Sequence, residues 1–167
     1  MWDAKTGSAV LTLTGHTGYI VSAGYSPDGA RVVTGSADGT AKVWDAKAGT
    51  VMLTLTGHVG PVNSVAMSPD GTRVVTGGAD GTAKMWDAKA GTKMFVMTGH
   101  TAQVGPVAFS PHGEQVITGS EDRTAKIWDA MTGTEVLTLT GQMGQFQLVS
   151  GSTSMTRTAF EPRPLHS

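Results

Sequence analysis

Three histidines stand at fixed distances from a threonine and an aspartate, the residue types of hydrolytic triads and of some metal sites. His16, His58 and His100 are 42 residues apart, and each is followed by a threonine 18 residues later and an aspartate 22 residues later. A hydroxyl activated by a His–Asp pair carries out acyl transfer, and His with Asp also binds zinc. Catalytic groups converge on one place, however, whereas these sets recur once per repeat. The spacing therefore favours a structural role.

The composition excludes several other kinds of site. The 167-residue chain has no cysteine, which excludes disulfides, thiolate zinc sites, iron–sulfur clusters and cysteine nucleophiles. Its net charge is −1, so there is no electrostatic argument for binding nucleic acid or an anionic membrane. No apolar run approaches the ~20 residues of a transmembrane helix, and no signal peptide is visible. We expect a soluble protein of the cytoplasm or another intracellular compartment.

A 42-residue repeat organises the chain. Trp-Asp recurs at residues 2, 44, 86 and 128, and Gly-His recurs at 15, 57 and 99 before Gly141-Gln142 replaces it. Residues 15–56 and 57–98 are identical at 28 of 42 positions. Each unit has four strand signals separated by turns rich in Gly, Pro and Asp, and in the second unit these predict strands at 62–67, 73–77, 82–86 and 93–97. The repeat predicts an all-β protein of antiparallel sheets.

These repeated elements resemble the WD40 repeat family. Gly-His, Ser-Pro-Asp-Gly, Ala-Asp-Gly-Thr and Trp-Asp follow one another in the family's order and spacing over residues 1–141. The resemblance implies a WD40-type β-propeller, in which each four-stranded sheet is one blade around a central channel. We expect three full blades at about 15–56, 57–98 and 99–140, after an N-terminal half blade at 1–14 whose last strand is 8–14. Residues 142–167 are expected to form a degenerate or disordered tail.

The resemblance also implies a network of side chains within each blade. An Asp in a hairpin turn accepts from one ring nitrogen of His, the other ring nitrogen meets a Thr hydroxyl, and that hydroxyl meets an indole N–H. Each buried polar group then has a partner. The expected sets are His16, Thr34, Asp38 and Trp44; His58, Thr76, Asp80 and Trp86; and His100, Thr118, Asp122 and Trp128.

Other polar residues are expected to be ordinary surface or strand positions. His112 and His166 stand alone, and an isolated histidine is more often a surface residue than a metal ligand. Lys42, Lys84 and Lys126 recur on the third strands, where we expect a solvated face. One ring of channel-facing positions, occupied by Ser22, Ser64 and Pro106, offers no nucleophile–base pair and no metal ligand. We therefore expect neither an enzyme nor a bound cofactor.

Family members most often bind partners on the face where the strands enter the central channel. In each blade the relevant positions flank the first apolar residue of the first strand or precede the network Asp. The corresponding residues are Tyr19, Val21, Ala37, Pro61, Asn63, Ala79, Gln103, Gly105 and Glu121. Tyr19 is the aromatic anchor and Glu121 the single charge, so this face fits a protein or peptide rather than nucleic acid or phosphate. Ordinary loop surface is the alternative interpretation.

Three explanations account for a ring of three and a half blades. The chain is a piece of a longer propeller; or two copies form a homodimer with an eight-bladed ring containing two composite blades; or residues 145–160 pair with 8–14 into a fourth blade. An open arc would expose edge strands and apolar faces, which favours association. The leading functional hypothesis is a non-catalytic protein–protein interaction scaffold. The alternative is the regulatory or sensor part of a larger multidomain signalling protein.

Overall fold

The computed structural model describes residue 1 and residues 5–141, which form three four-stranded antiparallel sheets. The expected all-β fold of four-stranded blades is confirmed. No helix in this part of the chain has the length and apolarity needed to cross a membrane. The strands are β1 Ile20–Tyr25, β2 Arg31–Ser36, β3 Thr40–Asp45 and β4 Val51–Thr56 in blade 1; β5 Val62–Met67, β6 Arg73–Gly78, β7 Ala83–Asp87 and β8 Lys93–Met97 in blade 2; and β9 Val104–Phe109, β10 Gln115–Ser120, β11 Thr124–Asp129 and β12 Glu135–Thr140 in blade 3.

The strands of each blade follow one another in space because short turns join them. Between β5 and β6 the N–H of Gly71 donates to the carbonyl of Ser68 at 2.8 Å, and Gly71 takes a φ of 70° that suits a residue without a Cβ. Between β6 and β7 the N–H of Gly78 donates to the carbonyl of Thr82 at 3.1 Å. This bond extends β6 by one residue beyond the predicted strand at 73–77.

The core lies between the blades rather than within one sheet. Val33 and Val43 of blade 1 pack against Val62 and Val65 of blade 2, and the two valines of blade 1 are fully buried. The same contacts recur between blades 2 and 3, where Met85 meets Val104. Each sheet thus needs a neighbour to remove its apolar face from water, as expected for a repeat architecture.

Polar side chains also tie adjacent blades together, a feature that sequence reasoning missed. Arg31 at the start of β2 donates to the carbonyls of Gly71 and Ala88 in blade 2, at 2.7 and 3.1 Å. Arg73 repeats this contact with blade 3. Ser22 and Ser64, expected to line the channel, each accept a backbone N–H of the following blade at 3.2 Å. Blade 3 has neither group, since Gln115 and Pro106 stand at these positions.

The N-terminal segment departs from the expected strand. Residues 8–14 do not form a continuous strand, and within them only Ala9 makes a bridge. The carbonyl of Met1 accepts the N–H groups of Val10 and Leu11 at 3.0 and 3.4 Å. The remainder of the expected half blade, Trp2 and Asp3, and the expected tail at 142–167 lie outside the described residues.

Candidate functional site

The structure brings each expected His, Thr, Asp and Trp set together within its own blade. In blade 1, His16 Nδ1 lies 2.8 Å from Asp38 Oδ2, and His16 Nε2 lies 2.8 Å from Thr34 Oγ1. The indole N–H of Trp44 donates to the same hydroxyl oxygen at 2.8 Å. The equivalent distances in blades 2 and 3 are 2.7 to 3.0 Å, for His58, Asp80, Thr76 and Trp86, and for His100, Asp122, Thr118 and Trp128.

The threonine hydroxyls of these networks are closed to a substrate. Thr76 and Thr118 are fully buried, and Thr34 is 5% exposed. Each hydroxyl oxygen already lies between an imidazole and an indole N–H, which uses its hydrogen-bonding capacity. The Thr–His–Asp order resembles a hydrolytic triad, but the indole N–H of a tryptophan lies against the threonine hydroxyl where a substrate would have to approach. This arrangement stabilises the strand pairs and leaves no space for acyl transfer.

The residues expected to bind a partner lie at the end of the blades that carries the β2–β3, β6–β7 and β10–β11 turns. In each blade a backbone bond joins the loop before the first strand to this turn. The donor and acceptor pairs are Ala37 N–H to Tyr19 O at 3.0 Å, Ala79 N–H to Pro61 O at 2.9 Å, and Glu121 N–H to Gln103 O at 3.1 Å. The side-chain amide of Asn63 donates to Val104 O at 3.0 Å and reaches Gln103, so Asn63 links blade 2 to blade 3.

Exposed apolar side chains occupy part of this end. Tyr19 is 76% exposed and Val21 is 42% exposed, whereas Ala37, Pro61, Ala79 and Gly105 are partly buried. Sequence reasoning missed Val59, which is 79% exposed in the loop before β5. Val59 replaces the threonines found at this repeat position in the other units, and that substitution was the available signal.

Blade 3 presents charges at this end. Glu121 and Arg123 are both exposed on the β10–β11 turn. Arg123 was also missed; it has a φ of 69° at a position where the other blades have Gly39 and Gly81. A side chain with a Cβ is disfavoured in this backbone conformation by about 1 kcal/mol. Arg123 therefore departs from the repeat in both chemistry and backbone preference. His112 is exposed on the opposite turn, and His166 lies outside the described residues.

The model of the WD domain, G-beta repeat, matches residues 7–45, 49–87 and 91–129, more than half of the chain. The chain belongs to the WD40 family. The matches at 49–87 and 91–129 begin with the last strand of one blade and end with the third strand of the next. The sequence unit is therefore shifted by one strand from the structural blade.

Two solved WD40 structures illustrate the relationship. The structures of U3-55K and of the RRP9 WD40 repeats each match with a TM-score of 0.75 and 26% identity. Each match covers 77% of this chain but 41% of the other chain. The chain thus spans less than half the length of these WD40 proteins. No curated protein matches it.

The lysines of the third WD40 strands correct one expectation. Lys84 is 5% exposed and Lys126 is 8% exposed, so the predicted solvated face is wrong for both. Lys84 Nζ lies 2.8 Å from Asp80 Oδ2, and Lys126 Nζ lies 2.8 Å from Glu135 Oε2. Lys42 is half-buried and donates to Thr54 at 2.9 Å. A nearby carboxylate or hydroxyl permits this burial, because a buried charge needs a partner.

The carboxylates of the WD40 networks have strongly depressed pKa values. Burial raises the pKa of Asp38, Asp80 and Asp122, but hydrogen bonds outweigh it and hold each pKa far below 3.8. These bonds come from a neighbouring threonine or lysine, from the histidine ring and from backbone N–H groups. At His58 the pKa is also lowered, but here burial is the larger effect. Burial lowers its pKa below 6.5, and this outweighs the raising effect of the Asp80 hydrogen bond.

We expect stability to fall in two stages on acidification. The His58 pKa is lower in the folded than in the unfolded chain, so stability declines as the pH falls below 6.5. The three aspartates contribute stability above pH 3.8 that is lost as the pH falls further. Urea unfolding at pH 7.5, 5.5 and 3.5 measures both stages. His58→Gln should reduce the first stage, and His112→Gln on an exposed turn should not; equal first stages in all three proteins would contradict the assignment.

Proposed function

We propose that this WD40 chain is a non-catalytic scaffold that binds a protein or peptide. The observation that carries the proposal is the strand-end surface, defined here as Tyr19, Val21, Val59, Glu121 and Arg123. Three of these side chains are exposed and apolar, and Tyr is a residue type favoured at binding hot spots. The two charges have opposite sign, which suits a mixed peptide better than a phosphate backbone.

The rigid support of this surface also favours binding. The backbone bonds that join the loops before β1, β5 and β9 to the following turns fix the loop positions. The network aspartates add a second attachment, since Asp80 Oδ2 accepts the N–H of Val59 at 3.1 Å. Binding then requires little ordering of the backbone, which reduces its entropic cost. The proposed location is intracellular, consistent with a chain that has no cysteine.

Selection of a random peptide library against the full chain tests the scaffold proposal. Tyr19→Ala with Val59→Ala should reduce affinity for the selected peptides about tenfold or more, because hot-spot truncation typically costs over 1 kcal/mol. Met131→Ala is the matched control, since Met131 is 68% exposed at the opposite end of blade 3. Failure to enrich any peptide, or equal loss with Met131→Ala, would contradict the proposal.

Two further assignments belong to the proposal. A regulatory part of a larger signalling protein is the second candidate, and it is favoured by the 41% coverage of the similar WD40 structures. Sequencing of the complete transcript distinguishes it from a separate scaffold. A homodimer that completes a propeller ring is also proposed, because Ile20 and Tyr25 of blade 1 are 49% and 57% exposed.

A further inference from the structure

Among the residues that the structure describes, only the N-terminal segment lies against the face of blade 1 that points away from blade 2. Ile20 on β1 is 49% exposed, whereas Val62 and Val104, at the same repeat position, are fully buried. A cavity of about 530 Å³ lies along this face, and Tyr25, Val32 and Trp44 contribute to its lining. Its remaining wall is formed by residues of the N-terminal segment. This region is open to solvent and its lining is mostly apolar.

The N-terminal wall occupies only part of a blade interface. Met1, Leu11 and Leu13 are 42 residues before Val43, Leu53 and Leu55, which help form the core between blades 1 and 2. Leu11 lies against Gly49 as Leu53 lies against Gly91, so the register is kept in space. These residues correspond to the third and fourth strands of a blade. In the core between blades 1 and 2, the second strand of blade 1 contributes Val33. On this face, the described residues include no equivalent residue from a second strand.

Blade 1 also repeats the groups that receive an arginine in the other two interfaces. Arg73 donates to the carbonyls of Gly113 and Ala130, and its guanidinium lies 5.6 Å from the centre of the Phe109 ring. The equivalent groups of blade 1 are the carbonyls of Gly29 and Ala46 and the ring of Tyr25, which is 57% exposed. Neither carbonyl accepts a hydrogen bond from the described residues. The face is therefore complementary to a second strand that begins with arginine.

The sequence after β12 contains such an arginine in repeat register. Arg157 follows Arg73 by 84 residues, two full repeats, whereas the intervening position is Gln115. Other residues of this segment keep the pattern of the first two strands of a unit. Gly141, Gly144, Val149, Ser152, Thr156 and Arg157 repeat Gly57, Gly60, Val65, Ser68, Thr72 and Arg73.

We propose that residues 141–160 of a second copy of this chain pack against this face of blade 1, over the cavity, with the Arg157 guanidinium on the carbonyls of Gly29 and Ala46. The inference deepens the proposed homodimer by naming the segment that joins the copies. A second copy is favoured because short connections, such as 57–61, place each first strand beside the preceding blade. The last strand of blade 3 ends at Thr140, directly before this segment, and blade 2 separates blade 3 from blade 1 of the same chain.

The face of blade 3 that points away from blade 2 lacks the groups that contact the next blade elsewhere, so the arginine contact is expected on blade 1. Blade 3 has Gln115 and Pro106 in place of the inter-blade arginine and serine. It also has Arg123 at the repeat position of Gly39 and Gly81. A Cβ added at either of these glycines would lie 3.2 to 3.3 Å from a backbone carbonyl oxygen of the next blade. The direct polar ties of the interface are therefore missing on this side. Two copies related by a two-fold axis would form two such sites and close the assembly.

Light scattering of the full chain, with hydrogen exchange of the β1 amides, tests this proposal. We expect twice 17.2 kDa and protected β1 amides. Arg157→Gln should raise the dimer dissociation constant about tenfold or more, because a charge-assisted hydrogen-bond pair is lost. Arg163→Gln is the matched control outside the repeat register. Deletion of 142–167 should give a folded monomer with fast-exchanging β1 amides.

The other outcomes overturn the inference in distinguishable ways. A full chain of 17.2 kDa rules out the homodimer, and β1 protection that the deletion abolishes would then assign the segment to its own chain. A dimer that persists after both Arg157→Gln and the deletion would keep the homodimer but exclude this segment. Peptide binding at the strand-end surface is measured separately, so neither result bears on the scaffold proposal.

Discussion

Replacing Thr76 by Val should destabilise the protein by about 3 kcal/mol, although the two side chains have nearly the same volume. The Thr76 hydroxyl contacts His58 Nε2 at 2.8 Å and receives the Trp86 N–H at 2.9 Å, and the side chain is fully buried. Valine fills the same space and suits a strand. The loss of stability therefore comes from His58 Nε2 and the Trp86 N–H, two buried polar groups left without a partner, at about 1–3 kcal/mol each. Urea unfolding at pH 7.5 measures it.

Two further threonine variants isolate the hydroxyl as the cause. Thr76→Ser keeps the hydroxyl and removes one methyl group, so it should cost clearly less than Thr76→Val. Thr56→Val makes the same chemical change at an exposed position of β4, and we expect a change within about 0.5 kcal/mol. If Thr76→Val and Thr56→Val had equal stability, the network would not contribute to the fold in the way its distances indicate.

The strand pattern and the networks were predictable because the information for both is local and repeated. A Gly with positive φ, such as Gly71, marks most of the turns, and the strand ends of blade 2 were predicted to within about one residue. The resemblance to the WD40 family gave the His, Thr, Asp and Trp positions of the networks, and the pairing of strands at fixed offsets brings these side chains together. The resemblance also gave Tyr19 and Ala37, which a backbone hydrogen bond joins at one end of blade 1.

The contacts between blades were not predictable in the same way. Arg31 and Arg73 stand at strand starts, where a charged side chain usually points into water. Their carbonyl acceptors lie 40 and 57 residues away, and only the arrangement of two blades brings them into reach. The burial of Lys84 depends likewise on an ion pair with Asp80, which lies four residues earlier in the turn before β7. Periodicity identifies such positions without revealing what faces them.

Trp86→Ala should produce the largest loss of stability, about 3–5 kcal/mol. Trp86 is 2% exposed and belongs to the core between blades 1 and 2, with Val33, Val62 and Val65. The substitution removes a large ring from a packed interface and also leaves the Thr76 hydroxyl without its donor. Thermal and urea unfolding measure the loss. Tyr19→Ala, a comparable truncation at 76% exposure, serves as the control and should change stability little.

Trp86→Phe separates the two parts of this effect. Phenylalanine keeps most of the apolar contact but has no N–H, so the variant should lie between wild type and Trp86→Ala. Because Trp86→Phe and Thr76→Val remove the same hydrogen bond, the double variant should lose less stability than the two single losses added together. Strict additivity would mean that the indole contributes through packing alone. A coupling of about 1 kcal/mol would assign the network a direct part in holding β6 against β7.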